Sequence, residues 1–553
     1  MESPQGATSA CRWLHSGLES PQGTREDRVS EAANSRPRGD RDRAGFAGRG
    51  PRHHHPQVTD LLRVYVCTSE AVPFAKTGGL ADVCGALPRA LAEMGCDVRL
   101  VLPGYGTIDR GKFGFRSIGQ AEAPLGADRV NVQFYESRLP DSPVPTYLVA
   151  SDHYFGRQGL YGEGGRDYPD NLERFTVFGR GALALLRHLD WAPQVVHCQD
   201  WQTGLLPVWL RVEPRDRVLA EAGTLFTVHN LAYQGLFPPD RLPLTGLGHN
   251  LFTPRGIEFY GKINFLKGGL VYADLLSTVS EQYAREIQTA EFGCGLEGVL
   301  RERADALVGI LNGVDYSAWD PSNDPLIPAR YTPDDLAGKL ICKEQLQRSL
   351  GLTVAPRTPL IGMITRLADQ KGLDLVAPTI ESILGRGAQF ALLGSGDPAY
   401  HTLFREIGAR QQGRASVTLG FDDALAHRIE AGADMFLMPS RYEPSGLNQL
   451  YSLRFGTLPI VRKTGGLADT IVDATPEAID RGTANGFVFE PYTPEALVGA
   501  VTRALTAFQQ PATWRRLQST GMRQDFSWKR SAARYIDAYR RVIRAHSQGA
   551  RRV

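Results

Sequence analysis

The sequence predicts an α/β protein built from two consecutive doubly wound domains, and three observations carry that prediction. At 553 residues the chain is too long for one compact core, so two large domains are expected. Apolar, β-branched runs alternate with amphipathic helical patterns in two separate series, the rhythm of parallel sheets flanked by helices. The heptapeptide KTGGLAD stands at the same kind of junction in both series, at residues 76–82 and 463–469, after an apolar run and before a helical pattern. Helix N-termini attract anions, so the repeat points to glycine-rich loops that hold something negative, with unequal jobs expected: the first copy as the anion contact across a cleft, the second chiefly shaping the cleft floor.

Residues 1–60 differ in composition from the rest. SRPRGDRDRAGFAGRGPRHHHPQ is rich in Arg, Gly and Pro and has few apolar residues. A disordered tail, or residues ahead of the true start, is expected there, with no secretory apolar segment and no metal role for its three adjacent histidines. Order begins at LLRVYVCTSE, a run suited to a buried parallel strand. The first KTGGLAD loop, the helical VCGALPRALAEMG and the strand DVRLVLPGY follow at βαβ spacing. PTYLVAS, PQVVHCQD and GTLFTVHN read as further strands, with helices at NLERFTVFGRGALALLRHL and WQTGLLPVWLRV. This first domain is placed at 61–312.

VGILNGVDYSAWDPSND is turn-rich and reads as the interdomain linker. A second domain at 313–528 then runs through PLIGMITR, AQFALLGSG, ASVTLGF, ADMFLMPS and TLPIVRK, each followed by a helical pattern. The last segment, 529–553, is an amphipathic helix expected to cross back to the first domain.

Composition excludes several classes of function. A formal net charge of +2 gives no global field for nucleic acid or a membrane surface, so an anionic ligand must be held by local charges. The seven cysteines are scattered, odd in number and without a CxxC pair, which argues against a disulfide framework or a zinc site and fits a reducing cytosol. No apolar run approaches the roughly 20 residues that span a bilayer.

Open α/β sheets bind ligands at the carboxyl ends of their strands, so the loops leaving the strands carry the functional expectation. ITRLADQKGLD places Arg366 and Lys371 in one such loop, a planar fork and a point charge suited to a diphosphate. In MPSRYEPSGLNQ, Glu443 leaves a strand end just before a glycine-rich helix N-terminus. A carboxylate is an unusual neighbour there unless it binds hydroxyls while the amides of Gly446, Leu447 and Asn448 face phosphate. In the first domain, VVHCQDWQTG and TVHNLAYQG bring Asp200, His229 and Asn230 to one cleft. Each loop alone is a weak signal, and together they converge on one site. A dinucleotide-binding GxGxxG after the first strand and a GxxxxGK[ST] phosphate loop are both missing from the sequence.

Taken in order, SEAVPFAKTGGLADVCGALPRAL, VVHCQDWQTGLLP, FTVHNLAYQG, INFLKGGLVYAD, GILNGVD, ITRLADQKGLDL, LLGSGDP, MPSRYEPSGLNQLYSLRFGTLPIVRKTGGLAD and DFSW resemble the bacterial glycogen synthase and plant starch synthase family. The resemblance runs from about residue 61 to the C-terminal helix. It implies the GT-B glycosyltransferase fold and retaining transfer of glucose from ADP-glucose to the 4-hydroxyl at the non-reducing end of an α-1,4-glucan such as glycogen, with no cofactor and no metal.

Carried over by matching motif, Lys76, Gly79 and Asp82 lie at the donor's phosphate end, and Arg366 and Lys371 neutralise the departing diphosphate. Glu443 holds glucose hydroxyls, His229, Asn230 and Asp200 orient the sugar, and Tyr161 and Asn312 lie near it. Phe421 stacks on adenine, where the family often has Tyr. The family's EPCGLTQ is EPSGLNQ here, with Ser445 and Asn448 substituted, and its HAHDWH loop is HCQDWQ, which keeps Asp200. No carboxylate suits a β-face nucleophile, so a same-face mechanism is expected, with a backbone carbonyl near His229 stabilising the oxocarbenium ion. The rival readings are a GT-B enzyme using UDP-glucose, a pyridoxal-dependent glucan phosphorylase, and a non-catalytic glucan-binding protein.

Overall fold

The computed structural model describes residues 61–550, so the tail and its histidine run lie outside the described residues. Two parallel sheets organise the chain. In the first, nine strands follow the order Leu307–Gly309, Leu275–Thr278, Gly223–Val228, Val195–Gln199, Arg63–Cys67, Asp97–Pro103, Pro145–Ala150, Asp128–Arg138, Arg116–Leu125. All neighbours pair in parallel except at the end, where Arg116–Leu125 and Asp128–Arg138 form an antiparallel hairpin against Pro145–Ala150. The second sheet has six parallel strands in the order Ala415–Leu419, Gln389–Gly396, Leu360–Leu367, Met435–Met438, Leu458–Arg462, Phe487–Phe489.

The central strands are mostly apolar and buried because helices cover both faces. Val64, Val66, Leu100, Val196 and Phe226 in the first sheet, and Ile361, Phe390, Leu437 and Ile460 in the second, are fully or nearly fully buried. Among the parallel strands, the order reverses once in each sheet. In the first it does so between Arg63–Cys67 and Val195–Gln199, and in the second between Leu360–Leu367 and Met435–Met438. A doubly wound sheet opens a crevice at such a switch point. The carboxyl ends of these four strands carry the candidates: Arg366 is the second-last residue of Leu360–Leu367, and the loops that follow the strands hold Lys76, Asp200, Lys371 and Glu443.

The domains are joined by two crossing segments. Val314 pairs with Ser527, its amide donating to the Phe526 carbonyl at 2.7 Å. Gly313 lies so close to Trp528 that a Cβ there would stand 2.5 Å from the Trp528 Cα. The long helix Trp528–Ala550 starts at this crossing and returns to the first domain. Ala532, Tyr535, Tyr539 and Val542 recur at helical spacing on its buried face, and the Tyr539 hydroxyl meets His197 Nδ1 at 2.9 Å. No helix among the described residues is long and apolar enough to cross a membrane.

Candidate active site

The first KTGGLAD loop leaves the central strand of the first sheet and leads into helix Gly79–Glu93. Its amides already have an anion. Glu70, buried at the strand end, accepts the Thr77 amide at 2.5 Å and the Gly78 amide at 3.1 Å on Oε2, and the Thr77 hydroxyl at 2.5 Å on Oε1. Tyr161 also donates to Glu70 Oε1 at 2.6 Å, and its ring packs against Phe175 and Trp201. The Tyr161 hydroxyl is therefore held within the wall of the site.

Lys76 reaches forward from this loop and pairs with Asp82 at 2.7 Å, both side chains partly exposed. Burial raises the Asp82 carboxyl above its usual range, against the pull of Lys76. Around Gly78 and Gly79 there is open space where a Cβ would stand, so protein packing does not explain these glycines. The backbone there is free for close approach by a ligand.

The second KTGGLAD occupies the same strand-to-helix junction, between Leu458–Arg462 and helix Gly465–Thr470, yet its surroundings are the reverse. A Cβ on Gly465 would stand 2.0 Å from the Glu443 carbonyl oxygen, and one on Gly466 would stand 1.9 Å from that of Ser445. The Gly466 amide donates to the Glu443 carbonyl at 3.1 Å. These glycines let the backbone of 443–445 rest directly on the loop. Lys463 turns to the surface and faces Glu490 at 3.4 Å. The anion on this copy is Glu286, which accepts the Gly465 amide at 2.9 Å and lies 3.2 Å from the Thr464 hydroxyl. A glutamate of the protein thus caps each loop, and the two copies differ in what surrounds their glycines, open space at the first and the 443–445 backbone at the second.

Glu443, buried on the floor so formed, accepts Lys371 Nζ at 2.6 Å and the Ser440 hydroxyl at 2.9 Å. It does not cap the following helix, Asn448–Arg454. The amides of Gly446, Leu447 and Asn448 have no acceptor among the described residues. Gly446, at φ 66°, supplies the left-handed turn that aims this open N-terminus. Asn448 donates its side-chain amide to the Ile364 carbonyl at 2.8 Å, tying the turn to the strand that carries Arg366.

Arg366 is exposed, has no carboxylate partner among the described residues, and donates only to Gln370 at 3.3 Å. At the end of Ala415–Leu419, Phe421 is 87% exposed, a large apolar ring with nothing covering it. The two walls lie within electrostatic reach. Burial raises the Tyr451 phenol in helix Asn448–Arg454, and the facing Asp82 carboxylate adds to the effect.

Asp200, His229 and Asn230 come together, but the Asp200 carboxylate turns back into the protein. It accepts the His229 amide at 2.7 Å and also the amide of Asn230. Its backbone sits at φ 55°, a conformation that costs a non-glycine residue energy. Asn230 Oδ1 accepts the Ala232 amide at 3.1 Å and shapes the turn. His229 Nε2 meets Gln199 Oε1 at 2.7 Å, and the Gln199 amide meets His197, which the C-terminal helix holds through Tyr539. Burial lowers His229 to about 3, so the ring is neutral, with Nε2 as the donor to Gln199 and Nδ1 bare. Asn312 lies buried at the domain crossing with its side-chain oxygen unpartnered.

Burial moves the Asp200 carboxyl from its usual 3.8 up to about 7. Between those values the folded protein holds a proton that the unfolded chain has released. The stability Asp200 contributes is therefore complete below the lower value and is lost as pH rises through the upper one. Denaturation followed across this window is expected to show a flatter pH dependence in Asp200→Asn than in the wild type. An unchanged slope would refute the assignment.

Glu70, Glu286 and Gln199 are the functional-wall residues that the sequence reading missed. Glu70 carried a local signal, an acid at a strand end just before a glycine loop. Glu286 carried none, because it lies in the other domain from the loop it caps.

Two parallel-sheet domains with facing cationic and carboxylate loops at their switch points define a glycosyltransferase of the GT-B class. Residues 63–302 match the family model for the starch synthase catalytic domain, and residues 352–516 match that for glycosyl transferases group 1. The chain is 47% identical to the glycogen synthase of Syntrophotalea carbinolica over 88% of its own length and 100% of that relative. It is 51% identical to that of Anaeromyxobacter dehalogenans over 87% and 99%. The chain belongs to the glycogen synthase family. Among solved structures it resembles the catalytic domain of Starch Synthase IV from Arabidopsis thaliana bound to ADP and acarbose, with TM-score 0.80, 34% identity and coverage of 87% and 99%. A sucrose-phosphate synthase from Thermosynechococcus elongatus shares the fold, with TM-score 0.54 at 17% identity over 88% of this chain and all of that one.

Proposed function

We propose that this glycosyltransferase moves glucose from ADP-glucose to the non-reducing-end 4-hydroxyl of an α-1,4-glucan, with retention, elongating glycogen in the cytoplasm. The observation that carries the reading is the set of unsatisfied groups around one cleft. Among the described residues, Arg366 is a cation without a carboxylate, the amides of 446–448 lack acceptors, Phe421 is a bare aromatic ring, and Gly78 and Gly79 face open space. Together they match a nucleotide diphosphate sugar, with phosphates on the cations and amides, a base on Phe421 and the hexose toward Glu443. The ADP and acarbose in the Arabidopsis starch synthase structure support the same assignment.

In this reading the bond from C1 to the diphosphate oxygen breaks while Arg366, Lys371 and the 446–448 amides take up the developing charge. The acceptor 4-hydroxyl attacks from the same face and passes its proton to the leaving phosphate. The His229 backbone carbonyl stabilises the oxocarbenium ion, and Asp200 fixes that carbonyl by holding the amides of His229 and Asn230. Glu443 accepts hydrogen bonds from the glucose hydroxyls and shares Lys371 with the phosphates. The neutral His229 ring orients the sugar, and it is not a proton carrier at physiological pH.

Glycogen incubated with the enzyme and ADP-glucose labelled in the glucose is expected to take up label that an α-1,4-specific hydrolase releases. Absence of incorporation would overturn the reading in favour of a glucan-binding protein.

The two lysines of the repeat are expected to differ. Lys76→Ala loses a charge-assisted contact to the donor, and kcat/KM should fall about 10- to 100-fold. Lys463→Ala removes only an exposed pair and should cost less than about fivefold. Equal losses in steady-state assays would refute the unequal roles.

A further inference from the structure

Helix Glu281–Glu286 belongs to the first domain and helix Gly465–Thr470 to the second, and each caps the other. Glu286 accepts the Gly465 amide at 2.9 Å and the Thr464 hydroxyl at 3.2 Å. In return Asp469 accepts the Gln282 amide at 2.8 Å and lies 3.7 Å from Arg285. The first contact differs in what lies above it. Gly465 and Gly466 are covered by the carbonyls of Glu443 and Ser445, close enough that no side chain fits between. A displacement of the 464–466 loop therefore moves the backbone that presents Glu443.

We infer that Glu286 is a positioning residue for the transfer reaction, holding the Glu443 loop in register from the opposite domain through the second KTGGLAD. Loop, glycines and Glu443 form one stack, and its lowest member comes from across the domain boundary. The repeat thus has a pair of anchors. Glu70 fixes the loop that faces the donor, and Glu286 fixes the loop that supports the residue facing the sugar. This inference rests on the reading of Glu443 as the group that holds the glucose hydroxyls.

Steady-state kinetics on the full chain test it, with donor varied at saturating glycogen. Glu286→Ala is expected to lower kcat/KM for the donor about 10- to 100-fold, the scale of an ångström-sized misplacement. Glu286→Gln keeps an acceptor oxygen for Gly465 and should recover most of that loss. Asp469→Ala loosens the same domain contact without touching the stack and should cost far less. In a Glu443→Ala background Glu286→Ala should add no further loss.

Should Glu286→Ala fail to fold, Glu286→Asp, which withdraws the carboxylate by one methylene, carries the same expectation. Wild-type kinetics in Glu286→Ala beside a crippled Glu443→Ala would overturn the inference and leave the proposed function standing. Losses that add fully in the double variant, or an Asp469→Ala defect as large, would also overturn it. A wild-type-like Glu443→Ala would overturn the reading beneath it.

Discussion

Glu443→Ala is expected to lower kcat by about two to three orders of magnitude, the scale of losing one preorganised polar group at a reacting centre. The side chain is buried at the cleft floor, bound by Lys371 and Ser440, and backed by the second glycine loop. Nothing else in the described cleft offers a carboxylate in that place. On the proposed reading, removal deletes the acceptor for the sugar hydroxyls and frees Lys371 from its carboxylate partner. The fold should survive, because Lys371 remains partly solvated once unpaired. Thermal unfolding close to the wild type alongside the kinetic loss is the expected pair of results, and a wild-type rate would break the assignment.

Arg366→Ala is the second large effect, also about 10²- to 10³-fold in kcat. Its guanidinium is exposed and has no carboxylate partner among the described residues, which leaves its charge uncommitted. The diphosphate gains charge as the glycosidic bond breaks, and a cation placed there stabilises the transition state more than the bound substrate. The loss should therefore fall on kcat and kcat/KM together. Arg366→Lys should recover only part of it, because a point charge replaces a planar fork. Full recovery by Lys would mean that charge alone matters.

Much of this architecture is legible in the sequence because its main strands are buried on both faces. Runs such as RVYVC and LIGMIT stand out as continuous apolar segments, and the loops after them carry the charged candidates. The hairpin formed by Arg116–Leu125 and Asp128–Arg138 escaped the reading for the opposite reason. It is an edge of the sheet with many half-exposed positions, so its alternation is too weak to stand out. The short strands Leu275–Thr278, Leu307–Gly309 and Phe487–Phe489 offer too few residues for a period to register.

The candidate residues could be listed from the sequence, but their bonds could not. Asp200 sits at the cleft, yet only the fold reveals that its carboxylate faces inward to two amides. The two KTGGLAD copies are identical over seven residues, and their different work is set by what lies far away in the chain. Glu70 and open space surround one, and Glu286 with the Glu443 and Ser445 carbonyls surrounds the other. Local sequence encodes the strand-to-helix turn in both, and long-range packing decides which copy is left open and which is covered.

The central claim, that the cleft takes ADP-glucose as glucosyl donor, is tested most directly by donor competition. The measurement is kcat/KM for ADP-glucose and for UDP-glucose, side by side, with glycogen as acceptor. A clear preference for ADP-glucose is expected, reduced in Phe421→Ala if the exposed ring stacks on the base. Preference for UDP-glucose, or equal use of both, would contradict it.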